Sequence, residues 1–209
     1  MSGNLFIIAA ASGTGKTTLV HALCRSLPNL RVSISCTTRP MRPGEQDGVD
    51  YFFVDNATFA GMVAEKKFLE HETVFDYRYG TPRLWVEDQL RAGTDIILEI
   101  DWQGARGVRA LLPDTIGIFL LPPGFAALEQ RLRNRAQDDA ATIHRRMRAA
   151  LEELSHYREF EYLVINDDLD TALAELKEII VSCRQGRRMA APDRRDFAEC
   201  LMAEGGKFK

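Results

Sequence analysis

Residues Ile7 to Thr18, read as IIAAASGTGKTT, carry the side chains and the spacing that grip phosphate. Glycines at 13 and 15 permit a tight turn that aims successive backbone N–H groups at one spot. A helix opening at Lys16 adds its own unpaired N–H groups and the positive end of its dipole. Lys16 can then reach the β- and γ-phosphates of a nucleoside triphosphate, and the Thr17 hydroxyl can hold Mg²⁺. The pattern GxxxxGK[ST] is met except at its first position, where Ala10 stands in place of glycine. That departure predicts a backbone at Ala10 that tolerates a Cβ. A glycine-rich turn that happens to carry a lysine would show the same letters. The apolar run Leu5–Ile8 before the turn and the helical pattern after it favour the triphosphate reading.

A second group of polar residues follows. Ser35 to Glu45 (SCTTRPMRPGE) is rich in turn formers and holds Arg39 and Arg42, three apart. Arginine grips phosphate through two parallel N–H bonds, and Pro40 and Pro43 limit the freedom the loop loses when it closes on an anion. Tyr51 and Tyr79 can each add a hydroxyl donor. Taken alone, two loop arginines are more often solvated or held in structural ion pairs. Asp101 ends the apolar stretch Thr94 to Asp101 (TDIILEID), where open α/β sheets put ligand-handling groups, and a structural cap is its other reading. Arg131, Arg133 and Arg135, with Arg145, Arg146 and Arg148, frame a polar break at residues 136–139.

The elements that must position these groups alternate between strand and helix. Leu19, Leu23 and Leu27 form an apolar stripe on the first helix, which Pro28 and Asn29 end. Arg31–Ser35 alternates as a strand does, and Tyr51–Val54 is a short apolar strand. A helix with Phe59, Met62 and Val63 on one side follows, and Phe68 to Tyr79 reads as extended and irregular. A helix fits Pro82 to Arg91, with Pro82 in its first turn. Thr94–Asp101 reads as a strand buried on both faces. Then come a short helix through Val108 and Leu111, the strand Ile116–Leu121, and a helix over Leu128 and Leu132. A long helix holds Ile143, Met147, Leu151 and Leu154 in register; the strand Tyr162–Asn166 and the helix Thr171–Val181 follow. This alternation predicts an α/β fold with a parallel sheet covered on both faces. Phe197, Cys200 and Leu201 are expected to form one face of a short C-terminal helix docked on the core or on another subunit.

Composition narrows the function further. The 209 residues suffice for one large α/β domain, and 45% hydrophobic with 27% charged residues are ordinary globular values. A formal net charge of -3 supplies no overall positive field for nucleic acid or an anionic membrane. Cys24, Cys36, Cys183 and Cys200 form no CxxC pair, and His21, His71, His144 and His156 show no ligand spacing, which argues against a metal knuckle or a disulfide framework. No apolar run approaches a membrane span, and no cleavable leader is evident, so the cytoplasm is the expected address.

Several motifs fall in an order that resembles the guanylate kinase family: SxTTRxxRxGExxGxxY from Ser35 to Tyr51, FLEHxxxF from Phe68, YGT at Tyr79–Thr81 and DWQG at Asp101–Gly104. The resemblance runs from Leu5 to about Ile180. It implies an ATP:GMP phosphotransferase of purine nucleotide metabolism, with a P-loop NTPase core, an inserted GMP-binding region and a helical lid. The implied ATP-binding residues are Ser12, Gly13, Thr14, Gly15, Lys16, Thr17, Thr18 and Asn166, with Mg²⁺ carried by ATP at Thr17. Arg39, Arg42, Tyr51 and Tyr79 would bind the phosphate of GMP. Glu70 would accept from guanine N1–H and the exocyclic amine, with Ser35 and Thr81 helping. The chemistry agrees, because a carboxylate matches two adjacent donors and adenine offers none at N1. Without the resemblance, Glu70 reads as an exposed strand-edge carboxylate.

Asp101 is implied to act near GMP, the metal or its waters. Lys16, Arg39, Asp101 and the lid arginines Arg135 and Arg146 form the implied catalytic set. Asn134 and Ala136 stand where many relatives carry glycine, which predicts a stiffer lid hinge. Asn166-Asp167-Asp168 resembles the family's NDD, and Asp168 reads equally as a helix N-cap. The expected division is a core of residues 1–34, 82–132 and 151–190, a GMP-binding region at 35–81, a lid at 133–150 and a tail at 191–209. Two other functions share parts of this pattern. A phosphopeptide-binding module of the same fold would tend to lose the phosphate loop, and a kinase of a phosphorylated sugar would need no guanine reader. The implied partners are ATP and GMP, with no nucleic acid or membrane; a homo-oligomer is left open.

Overall fold

The computed structural model describes residues 2–74, 76–134, 140–189 and 192–206. Its first strand, β1 (Leu5–Ala10), is buried from Leu5 to Ala9 and leads through a turn into α1 (Lys16–Ser26). Leu19, Val20 and Leu23 are the buried stripe of α1, while Leu27 lies outside the helix in an extended conformation. Pro28 causes this, because its ring disfavours helical geometry in the residue before it. The chain continues through β2 (Leu30–Val32), β3 (Cys36–Thr37), β4 (Phe52–Phe53), α2 (Asn56–Ala64), β5 (Phe68–Val74), β6 (Tyr77–Pro82) and α3 (Arg83–Arg91). Then follow β7 (Asp95–Leu98), α4 (Trp102–Leu111), β8 (Ile116–Leu121), α5 (Phe125–Asn134), α6 (Ala140–Ser155), β9 (Tyr162–Ile165), α7 (Leu169–Arg184) and α8 (Arg195–Gly205).

Five strands form the main sheet in the order β2-β7-β1-β8-β9. Leu30–Val32 runs parallel to Asp95–Ile97, and Ile118–Leu121 runs parallel to Tyr162–Ile165. The expected α/β fold with a parallel sheet is therefore present. A second sheet of four strands, in the order β4-β3-β6-β5, was not foreseen as a sheet. The strand expected over Arg31–Ser35 stops at Val32, and β3 begins a separate sheet at Cys36. The stretch expected to be irregular after Phe68 is a regular antiparallel hairpin of β5 and β6, with a bulge between Phe68 and Glu70.

The chain divides into two compact units, one of Met1–Phe6 with Asn29–Thr115 and one of Ile7–Pro28 with Ile116–Lys209. In the first, Phe59, Phe68 and Cys36 make a small core under the second sheet, with Val54, Met62 and Val63 packed around it. The Phe59 and Phe68 rings stack at 4.7 Å. Gly80 is required opposite them, since a Cβ there would lie 2.7 Å from Phe68 Cδ1. In the second unit, β8 is buried throughout, and α7 packs through Ala172, Leu176, Ile179 and Ile180. The C-terminal helix α8 docks within this unit through Ala198, Leu201 and Gly205. Of the expected face, Leu201 is buried and Phe197 half-buried, while Cys200 is exposed and Ala198 takes its place. Among the described residues, no helix is long and apolar enough to cross a membrane.

Candidate active site

In the second unit the turn after β1 has the geometry that its glycines predict. Gly15, at φ 95°, is the N-cap of α1 and takes a left-handed conformation that L side chains resist. A Cβ there would also meet Asn166 Nδ2 at 2.8 Å. Ala10 ends β1 and is not among the residues with positive φ, so its Cβ is accommodated as expected. Asn166 is buried just after β9, and its Nδ2 donates to the Thr14 carbonyl at 2.7 Å. Arg131 on α5 bridges the same two residues, donating to the carbonyls of Thr14 and Asn166 at 3.1 Å each. The Thr14 hydroxyl is buried with no hydrogen-bond partner among the described residues. Ser12 N–H donates to Glu153 Oε2 on α6 at 2.8 Å. Lys16 is half-buried in the first turn of α1, where Thr17 and Thr18 are exposed.

In the first unit two clusters form. Arg39 is 7% exposed, and its guanidinium lies 5.4 Å from the Tyr51 ring and 5.7 Å from the Phe53 ring. The Tyr51 and Tyr79 rings meet edge to face at 6.0 Å. Burial pushes the Tyr51 hydroxyl up to about 12, so it remains a donor at neutral pH. Glu45 holds this loop in shape. Its carboxylate takes Arg39 Nη2 at 2.6 Å and the Arg42 N–H at 2.7 Å. Burial opposes ionisation of Glu45, but these bonds and the two arginine charges outweigh it and hold the carboxyl below its usual range. The Arg42 side chain is exposed.

The other cluster centres on Glu70, which is 9% exposed. The Thr81 hydroxyl donates to its Oε1 at 2.5 Å, across the β5–β6 pair. A Cβ at Gly104 would lie 2.9 Å from Oε2, so the first turn of α4 leaves room for this carboxyl only because residue 104 has no side chain. Burial pushes the Glu70 carboxyl up to about 7; the Thr81 hydrogen bond opposes this, and the charges of Asp101 and Glu72 add to it. Asp101 is the N-cap of α4, accepting from the Gly104 N–H at 2.9 Å, and is half-buried rather than the buried cap of its structural reading. Thus a buried carboxyl sits in one cluster, an arginine among aromatic hydroxyls in another, and an anion-seeking loop in the other unit.

A model of the guanylate kinase family matches residues 2–183. The chain belongs to the guanylate kinase family. The guanylate kinase of Coxiella burnetii is 54% identical over 184 residues, covering 88% of this chain and 89% of that relative. That of Methylococcus capsulatus is 54% identical over 190 residues, covering 91% and 93%. Among solved structures, the guanylate kinase from Anaplasma phagocytophilum superposes with a TM-score of 0.74 at 28% identity, covering 95% of this chain and 94% of its own.

Of the residues that the guanylate kinase resemblance singled out, the first unit brings Arg39, Tyr51 and Tyr79 into one cluster and Glu70 with Thr81 into the other. Ser35 joins through its backbone, its carbonyl accepting from Phe52 N–H at 2.9 Å. The strand-edge reading of Glu70 is half right: the residue is on β5 but buried rather than exposed. In the second unit, Ser12 to Thr18 and Asn166 gather at the loop. Asp168 caps α7, accepting from Thr171 N–H at 2.9 Å. Arg146 is half-buried on α6; Arg135 and Ala136 lie outside the described residues. Sequence reasoning missed Glu45, Arg131 and Glu153 as parts of the site. Glu45 carried a signal, being the one acid in a basic turn.

Proposed function

We infer that the chain transfers the γ-phosphoryl group of ATP to GMP, giving ADP and GDP. The observation that supports this most is the buried Glu70 carboxyl, held at one oxygen by Thr81. When ionised, it accepts from guanine N1–H and the exocyclic amine. Adenine would leave that charge unpaired, and a site built for a hydrogen-bonding partner rejects an analogue lacking it. Arg39 and Arg42, with the Tyr51 and Tyr79 hydroxyls, hold the GMP phosphate, Glu45 having already shaped the Arg39 loop. Lys16 and the loop N–H groups from Gly13 to Thr18 hold the ATP phosphates, and Asn166 and Arg131 brace the loop from behind. Arg135 and Arg146 stabilise charge on the phosphoryl oxygens in transit. Asp101 orders the GMP side through its cap of α4 and its charge beside Glu70.

No general base is needed, because a phosphate monoester is largely ionised at pH 7. Positioning and charge neutralisation carry the rate. Thr17, exposed in the first turn of α1, fits a divalent ion that arrives with ATP. Among the described residues, no group of three or more His, Cys, Asp or Glu side chains is arranged to hold a metal ion, so phosphate oxygens would supply most of its ligands. Bound there, Mg²⁺ supplies positive charge to the triphosphate. The working division is residues 35–81 for GMP, 133–150 as a lid and the rest to 190 as the core, in the cytoplasm.

ADP release with Mg-ATP and each of GMP, AMP, CMP and UMP tests this reading. GMP is expected to exceed the others in kcat/KM by at least about 100-fold. Comparable turnover of AMP would keep the kinase and remove Glu70 as selector.

A further inference from the structure

We propose that Glu153 is a positioning residue that pins α6, and with it Arg146, to the phosphate loop. The contact is the 2.8 Å hydrogen bond from Ser12 N–H to Glu153 Oε2, between residues 141 apart in sequence. Ser12 is where the chain leaves β1 and begins the turn, so this N–H belongs to a backbone that attracts anions. A protein carboxylate takes it up before any nucleotide does.

The helix gives an independent reason. Glu153 lies in the last turn of α6, which contains no basic residue. An acid at a helix C-terminus faces the negative end of the dipole and is unfavourable there by a few tenths of a kcal/mol or more. At Glu153 the electropositive loop offsets that cost, whereas the neighbouring Glu152 is exposed to solvent. Geometry then links Glu153 to Arg146. Seven residues make nearly two whole turns, so Arg146 and Glu153 share one face of α6, about 10 Å apart along its axis. Ile143, Met147, Ala150, Leu151 and Leu154 bury the neighbouring face. Apolar burial is non-directional, whereas the hydrogen bond ends on one backbone atom and adds a directed constraint on where this turn of α6 meets the loop.

The inference rests on the reading of Arg146 as a phosphate-stabilising residue, and a double-mutant cycle separates the two. Glu153→Ala, Glu153→Gln, Arg146→Ala and the Glu153→Ala/Arg146→Ala pair are assayed for kcat, KM for ATP and KM for GMP, with melting temperature alongside. Glu153→Ala is expected to lower kcat about tenfold and leave KM for GMP within about twofold. In the Arg146→Ala background the same change should cost less than about twofold, because the residue that it positions has gone. Glu153→Gln keeps an acceptor oxygen and should recover most of the loss. Fully multiplicative losses, or a lower melting temperature with unchanged kcat, would overturn the inference. Should Glu153→Ala fail to fold, Glu153→Met, which keeps the length of the stem and removes the acceptor oxygen, takes its place in the cycle with Arg146→Ala: a kcat loss that persists undiminished beside Arg146→Ala refutes the pin. If Arg146→Ala alone leaves kcat unchanged, the reading of Arg146 fails first, and a kcat loss in Glu153→Ala must then be assigned to the loop itself.

Discussion

At the scale of single residues, the tension lies in Glu70. Reading guanine needs a carboxylate, yet the walls that exclude water from it favour the neutral acid, and its titration rises from the ordinary 4.5 to about 7. Two consequences follow with opposite signs. A carboxyl raised on folding contributes stability that is complete below its unfolded value and is lost as pH rises through its folded one. Between about pH 4.5 and 7 the ligand-free protein should therefore lose stability from this residue, on the order of 3 kcal/mol at most. Binding runs the other way, because GMP selects the ionised form and releases a proton below pH 7. KM for GMP should rise toward acid by up to about tenfold per pH unit below 7. Glu70→Gln supplies the comparison. Its melting temperature should lack that component of the fall between pH 5 and pH 8. Its weaker GMP binding should keep only the slope near pH 6 that belongs to the GMP phosphate itself. Parallel pH profiles in the two proteins would show that Glu70 does not titrate in this range.

At the scale of elements, the β5–β6 hairpin carries the reader. Glu70 and Thr81 are cross-strand partners, and the bulge between Phe68 and Glu70 sets their register. Gly80 fixes the hairpin against the Phe59–Phe68 stack. Gly80→Ala should cost about 1–3 kcal/mol in chemical denaturation, because the ring 2.7 Å away has to move. It should also raise KM for GMP severalfold while leaving KM for ATP unchanged; an equal rise in both would detach the hairpin from guanine reading. This hairpin is also where sequence and structure part. Apolar strands such as Asp95–Leu98 and Ile116–Leu121 were legible because burial on both faces writes a continuous apolar run. Along β5 an acid occupies a buried position and the bulge breaks the alternation, so the pattern that reveals a strand is lost where function intrudes. The phosphate loop was legible because its chemistry is local. Glu153 and Arg131 were not, since each meets the loop from more than a hundred residues away and no periodicity encodes that meeting.

At the scale of the whole molecule, the residues assigned to GMP all fall in the unit of Met1–Phe6 and Asn29–Thr115, and those assigned to ATP all fall in the other. Each unit has its own core, so each half-site has its own scaffold. The four-stranded sheet with Phe59 and Phe68 supports the guanine and phosphate readers of GMP. The β8–β9 pair, α5 and α7 support the loop through Asn166 and Arg131. Ligand binding to a folded segment lowers its local opening in proportion to occupancy, which hydrogen exchange reads amide by amide. At saturation, GMP alone should slow exchange across 36–54 and 68–82 by at least about tenfold, and ADP alone should slow 12–20 and 162–167 to a similar degree. Stronger protection of 12–20 than of 68–82 by GMP alone would reassign the acceptor to the loop and overturn the division. The expected pattern would show that each unit recognises its nucleotide with its own residues, leaving phosphoryl transfer as the one step that needs both nucleotides at once.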